Sequence, residues 1–355
     1  QMASFRPTAH YATRALEAPF GVQDLTSDIA IRQWATLAAS DPERGLAKLQ
    51  NTLEQATPAE CARMPFGARQ ALVEELRRLA WPTATFHEAA LCLALLAQSD
   101  DDRPSLKASD VFIRLFSIWL SGTAVPFDER LEAIDWLVTR GRVVFLRFAV
   151  RALTQSVKHD PCRMHVDEPT DATREPEWRP ANDQEELACV HVALQRLREI
   201  AAAAPADLQA DLLEATRYGA MRLRHSATRS IVADLFLTIR RALPSAQETL
   251  RGQVAELLDR ETRLWQELEP MDLAPIESLH AELEDPSLLG RIRQWVGSFP
   301  WDVARQPDLN PLARELLDTP DGLLQVLPWL TSGEATGAWR LGECLAALDP
   351  QGNLE

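Results

Sequence analysis

The residues best equipped for chemistry lie in His159-Asp160-Pro161-Cys162-Arg163-Met164-His165, where imidazole, thiol and imidazole recur every three residues. Together with Cys189 and His191 downstream they offer nitrogen and sulfur ligands of the kind that zinc takes in fours. Two features weigh against zinc. The second half of a Cys-x-x-Cys signature is missing, and Cys189 and His191 sit two apart on an expected helix, so they point to different faces. The chain also lacks a glycine-rich phosphate loop, a Gly-x-Ser-x-Gly elbow, a His-Glu-x-x-His helix and a Gly-x-Gly-x-x-Gly turn. It is therefore expected to have no catalytic residues, metal or cofactor, and an enzyme built around His159, Cys162 and His165 is the minor alternative.

A second group is basic: Arg217, Arg222, Arg224, His225, Arg229, Arg240 and Arg241. Guanidinium forks of this kind hold carboxylates or phosphates. They suit either an acidic partner or the chain's own acids, above all those of the stretch 167–186. Tryptophan supplies a third group, with ten tryptophans against two tyrosines. Trp34, Trp81, Trp119, Trp136 and Trp265 fall in apolar helical stripes and are expected in the core. Trp178, Trp295, Trp301, Trp329 and Trp339 fall near loops or turns, where a large flat side chain can anchor an interface. Arg217, Arg222, Arg224 and Arg229 with these five tryptophans are the candidate partner-binding residues.

The elements that must position these groups read as helices from end to end. Thr57-Pro58-Ala59-Glu60 is a capping box with proline in the first turn, and Thr85-Phe86-His87-Glu88 and Ser245-Ala246-Gln247-Glu248 repeat the box. Further starts are marked by Val125-Pro126, Ala204-Pro205 and Asp285-Pro286, and Gly141, Gly219 and Gly297 sit where helices can end or pinch. Apolar residues recur at helical spacing in Leu187, Val190, Leu194, Leu197 and Ile200, and in Val111, Leu115, Ile118 and Trp119. Phe112, Ile113, Phe116 and Leu120 widen the second stripe into that of a helix packed between two layers. No stretch alternates with period two for long enough to read as a strand.

These signals predict about fifteen helices of ordinary length. Helix pairs of about 35 to 45 residues are the unit of HEAT or tetratricopeptide arrays, and no sequence repeat is visible at that period, so the expected fold is an all-α, irregular α-solenoid of helical hairpins. A compact helical bundle is the alternative. Prolines 161, 169, 176 and 180, and acids from Asp167 onward, mark a long aperiodic segment. The expected divisions are an N-terminal helical array over 1–157, a proline-rich acidic segment over 158–182, a second array over 183–297 and a small helical cap over 298–355.

Composition narrows the partners. The 355 residues carry 52 acidic and 37 basic side chains, a net charge of -15, which repels polyanions and disfavours nucleic acid. Only Lys48, Lys107 and Lys158 are lysines, a bias toward the codons of GC-rich bacterial genomes. Cys61, Cys92, Cys162, Cys189 and Cys344 are odd in number and scattered, as expected of reduced thiols in a cytoplasmic protein. The richest apolar run, 89–97, is far short of the roughly 20 residues that cross a bilayer. Gln1-Met2-Ala3-Ser4 and Leu354-Glu355 read as the edges of a piece of a longer protein.

Three stretches resemble a known family. Ser109-Asp110-Val111-Phe112-Ile113-Arg114-Leu115-Phe116-Ser117-Ile118-Trp119-Leu120-Ser121-Gly122-Thr123-Ala124-Val125-Pro126 with Glu129-Arg130-Leu131 is similar to the helix, "LSGT" turn and "ERL" helix found in the C-terminal helical regions of large bacterial STAND-type signal-transduction ATPases and related multidomain defence proteins. Leu289-Gly290-Arg291-Ile292-Arg293-Gln294-Trp295-Val296-Gly297 resembles their "GRVRRWVG" helix, and Glu177-Trp178-Arg179-Pro180 their "DWRP" turn. Where that family has an asparagine-rich stretch before the first of these helices, this chain has Ser105-Leu106-Lys107-Ala108-Ser109. The resemblance covers about 29–349 and implies a sensor or scaffold module that binds a protein trigger and passes the event to other domains of the same polypeptide. It carries no individual contact residue across. A self-associating scaffold, a homo-oligomer held through Trp329 and Trp339 of the cap, is the rival expectation.

Overall fold

The computed structural model describes residues 21–25, 28–38, 41–100, 107–158, 175–260, 272–284, 287–297, 308–332, 335 and 337–348. Among these, the chain is all-α, with helices packed largely against neighbours in chain order and no strand. They fall into two compact units, Gln1–Leu235 and Phe236–Glu355.

The first unit holds α1 (Asp28–Ala38), α2 (Pro42–Gln55), α3 (Pro58–Ala62), α4 (Phe66–Leu79), α5 (Phe86–Ala97), α6 (Ala108–Arg114), α7 (Phe127–Arg140), α8 (Val143–Val157), α9 (Asp183–Ala202), α10 (Gln209–Arg222) and the start of α11 (Ser226–Ala242). Its centre is α5, in which every residue from Ala89 to Ala97 is buried. A helix that is apolar all round must be covered all round, and α2, α4, α6 and α7 pack on it. Around α8 the arrangement repeats, with α6, α7, α9 and α10 against it. The flanks of 158–182, α8 and α9, therefore pack on each other, and the division between units falls inside α11 at Leu235 rather than at that segment.

Local signals explain most of the boundaries. At Thr57 the box closes both ways, with the Thr57 amide donating to Glu60 Oε2 at 2.8 Å and the Glu60 amide to Thr57 Oγ1 at 3.2 Å. Asn182 accepts the Glu185 amide at 3.0 Å to start α9. Gly141 ends α7 in the left-handed region, φ 64°, where a side chain is disfavoured. Gly219, by contrast, lies inside α10, where a Cβ atom would meet Leu194 and Val232 at ordinary contact distances. One expected box does not form: Thr85 Oγ1 donates back to the Leu79 carbonyl instead of capping α5. Ser245 lies within a 3-10 turn, Pro244–Ala246, ahead of the next helix.

The largest departure lies after α6. The stripe through Val111 and Trp119 is not one helix: α6 stops at Arg114, and residues 115–126 are non-helical. Leu115, Phe116 and Ile118 are still buried, so the apolar residues seat in the core without a helix to carry them. Trp119 is 41% exposed, against the core position that periodicity predicts. Trp34 and Trp81 are buried as expected, and Trp265 lies outside the described residues.

Arginine–acid links tie successive helices. Arg69 of α4 donates to the Leu96 carbonyl at 2.8 Å and to Asp100 at 2.7 Å, and Asp100 takes the Ser109 amide at 2.8 Å at the start of α6. Asp211 of α10 is buried and receives Arg147 at 3.0 Å and Arg151 at 2.7 Å, both from α8.

The second unit holds the rest of α11, then α12 (Gln247–Arg260), α13 (Ala274–Leu283), α14 (Leu288–Gly297), α15 (Asn310–Asp318), α16 (Gly322–Leu330) and α17 (Ala338–Leu348). Helix α12 packs on α13, and α15 lies against α14, α16 and α17. Ile292, Val296, Leu309, Leu312, Ala313, Leu316, Val326, Leu341 and Leu345 form one core cluster. No described helix is long and apolar enough to cross a membrane.

Leu93 is fully buried at the centre of α5, and Leu93→Ala is expected to cost about 2–5 kcal/mol in denaturant unfolding of the first unit. In the second unit, burial and then Arg251 hold His280 below the usual imidazole pKa of 6.5, against the opposing pull of Glu284 and Glu248. The unfolded state then binds the proton first, so stability present above 6.5 is lost as pH falls below it. Thermal melts between pH 7.5 and 5 should show a decline for the wild type that His280→Gln flattens.

Candidate functional site

Three residues of the stretch that carries the first resemblance, Leu115, Ser117 and Val125, meet at one side chain of the same stretch. Arg130, in the first turn of α7, is fully buried. Its Nε donates to the Val125 carbonyl at 2.8 Å, and its Nη1 to the carbonyls of Leu115 at 3.1 Å and Ser117 at 2.8 Å. The Trp178 ring lies over the guanidinium with its centroid at 5.1 Å, and that of Phe127 at 5.9 Å. Burial lowers its pKa to about 9, while Cys189, Glu177 and Asp128 raise it, so the group stays a cation at neutral pH. Arg130 Nη2 and Ser121 Oγ, both buried, have no hydrogen-bond partner among the described residues.

The loop 115–126 wraps this cation. Leu120 at φ 55° and Gly122 at φ 74° reverse the chain there. Thr123 Oγ1 donates to the Trp81 carbonyl at 3.0 Å, and the Ala124 amide donates to the same carbonyl at 2.8 Å, which fixes the loop to the end of α4. A non-helical segment, residues 175–182, lies on top. Its Glu177 accepts the Gly122 amide at 2.8 Å, and its Trp178 amide donates to the Thr123 carbonyl at 3.0 Å. Glu175 accepts Trp81 Nε1 on its carbonyl at 2.8 Å, and its carboxylate takes the Thr83 amide and hydroxyl at 3.2 and 3.1 Å. Sequence reasoning placed Trp178 at an interface by its loop position but gave no sign that its partner is Arg130, 48 positions earlier in this numbering.

The basic candidates do not form one surface. Arg222 is buried: its Nε donates to the Val157 carbonyl at 3.0 Å, and Nη1 lies 3.5 Å from Glu186. This corrects its assignment to partner binding, because the guanidinium is spent between α8 and α9. Glu186 also accepts Trp119 Nε1 at 2.8 Å, so the acid that Arg222 meets does belong to the stretch 167–186. Arg229 is half-buried and donates to the Leu223 carbonyl at 2.9 Å. Arg224 is half-buried, and Arg217 is exposed on α10.

His159, Cys162, His165 and Trp301 lie outside the described residues. Among the described residues no three His, Cys, Asp or Glu side chains are grouped to hold a metal ion. Cys189 is half-buried, and burial, opposed by Arg130, pushes its thiol up to about 11, which keeps it protonated.

The tryptophans of the last helices separate by exposure. Trp329 is half-buried beside the core cluster, with Arg293 5.9 Å from its ring centroid. Trp339 is 57% exposed and Trp295 37%. Sequence reasoning missed two further exposed apolar side chains, on α16: Leu324 at 68% and Leu327 at 45% exposed. These two are three apart and share a helix face, while Val326 between them is buried and anchors the helix.

No family model, characterised protein or solved structure matches the chain.

Removing the Arg130 guanidinium takes the donor from two buried carbonyls and one half-buried carbonyl. Arg130→Met is expected to lower unfolding free energy by about 3–5 kcal/mol. Arg130→Lys, whose single ammonium cannot reach three carbonyls in a plane, should recover less than half of it in the same denaturant titration.

Proposed function

We propose that this chain is a non-catalytic helical interaction module, a sensor or scaffold segment of a larger bacterial signalling or defence protein that binds a protein partner and passes the event to neighbouring domains. The observation that carries this reading is the set of large apolar side chains left in water in the second unit, Leu324 and Leu327 on one face of α16 and, on α17, Trp339. Large apolar side chains at an interface centre give binding its driving force, and tryptophan is over-represented among the residues that dominate it. A net charge of -15 keeps such a face from aggregating. The resemblance of the loop 115–126, Arg130 and the Trp178 turn to the helical regions of STAND-type ATPases supports a place C-terminal to an ATPase. These residues build the fold, so they support the architecture and leave partner choice to the exposed face.

The reading frame upstream is expected to encode a strand followed by Gly-x-x-x-x-Gly-Lys-Ser/Thr, and a frame that lacks it removes the sensor-module reading. In the whole polypeptide, Leu324→Glu with Leu327→Glu is expected to abolish partner-triggered assembly in light scattering. The melting of this module should change by no more than about 0.5 kcal/mol, as for ordinary surface substitutions. Assembly that survives the double variant places the docking face elsewhere. A wild-type module that is dimeric alone, and monomeric with both substitutions, favours the self-associating scaffold.

A further inference from the structure

The segment 175–180 touches the first unit in the way a bound linear peptide would. The surface beneath it is self-supporting: Thr123 and Ala124 bond to the Trp81 carbonyl, and Arg130 bonds to Leu115, Ser117 and Val125, none of which involves the segment. What the segment adds is a separate layer. It makes a main-chain bond from the Trp178 amide to Thr123, accepts an indole donor on the Glu175 carbonyl, places two carboxylates on the Thr83 and Gly122 amides, and sets an aromatic ring on a buried cation. Main-chain bonds that give affinity, combined with side-chain subsites that give specificity, are the pattern of peptide recognition. The described occupant also leaves the site incompletely satisfied, since Arg130 Nη2 and Ser121 Oγ remain buried without partners among the described residues. A ligand that supplied an acceptor to that guanidinium nitrogen would bind better than the resident segment.

From this we infer that Trp81, Thr83, Gly122, Thr123 and Arg130 form a recognition site for an acidic linear peptide carrying an aromatic residue, and that residues 175–180 occupy it in cis. The acidic and aromatic character follows from the subsites. Two amides and a cation call for carboxylates, and the π face of the guanidinium that Trp178 covers calls for an aromatic ring. The tether gives the resident segment an effective concentration on the order of millimolar, so an external peptide gains access in proportion to how often that segment lifts. This site is in the first unit and is independent of the outward face on α16.

Hydrogen exchange on the wild-type chain tests the first half of the inference. The amides of Thr83, Gly122 and Trp178, which bond across to or from the segment, are expected to exchange at least about tenfold faster than that of Ala124, which bonds within the supporting surface, after correction for intrinsic rates. A single common opening rate for all four makes the segment part of the fold and overturns the proposal. The second half is tested with the full chain carrying Glu175→Ala, Glu177→Ala and Trp178→Ala. A fluorescein-labelled peptide of residues 173–182 is expected to bind it saturably by anisotropy, and the wild type at least about tenfold more weakly. The same peptide with alanine for its tryptophan should lose about tenfold in affinity. Absence of saturable binding by a variant with wild-type helix content overturns the proposal. If that variant loses helix content, the exchange result on the wild type decides alone.

Discussion

A cation removed from water must find acceptors, and Arg130 finds them in backbone carbonyls. Carbonyls inside a helix are already committed to amides four residues on, so three of them can turn toward one guanidinium only where the chain is not helical. The loop 115–126 is therefore a requirement of Arg130. Its left-handed residue, Leu120, costs about 1–2 kcal/mol against an extended or helical conformation. Three hydrogen bonds to a charged donor, at about 1.5–3 kcal/mol each, outweigh that strain. Once the loop is turned, Thr123 is placed to reach the end of α4, and Gly122 and Thr123 present an amide and a carbonyl to the segment above. The junction of α4 and α5, the start of α7 and residues 175–180 thus all depend on one side chain.

The near absence of lysine has a structural counterpart. Arg69, Arg130 and Arg222 each serve more than one acceptor, and Arg69 and Arg222 combine a backbone carbonyl on one element with a carboxylate. A planar fork can do both at once, whereas an ammonium is a point donor that keeps its water. The links at Asp211 use the same fork from the other direction, with two arginines of α8 converging on one buried carboxylate of α10. Exposed pairs of this kind contribute little, but pairs with a buried member fix register between helices, because a one-turn slip would strand the charge.

The helices were largely legible in the sequence because their signals are local. The Thr57 box, the Val125-Pro126 start, Gly141 and the all-round apolarity of α5 each act within a turn or two, and the structure places helix ends where they fall. What escaped depends on long-range contacts. Apolar spacing through Val111, Leu115, Ile118 and Trp119 is the same whether the residues ride a helix or a buried loop, and only the demand of Arg130 distinguishes the two. Arg222 looked like surface because arginine is seldom buried, and its acceptor, the Val157 carbonyl, is invisible as a residue type. Leu324 and Leu327 carried no sequence signal of exposure for the converse reason: hydrophobicity leads to burial only where another element is present to cover it.

Burial also changes what the surface offers. Among the described residues three arginines, Arg130, Arg222 and Arg251, are buried against one acid, Asp211. The accessible surface of these described residues is therefore more acidic than their own composition suggests. Long-range repulsion of nucleic acid grows accordingly, and steering favours basic partners. For the proposed interaction this sets a division of labour between chemistry at the centre and at the edge. Leu324 and Leu327, on one face of α16, can supply the desolvated centre, where charge is depleted in protein interfaces generally, while the acids around the module select approach and orientation. A partner with an apolar patch rimmed by arginine or lysine satisfies both demands, and one with an acidic rim is repelled before its apolar patch can make contact.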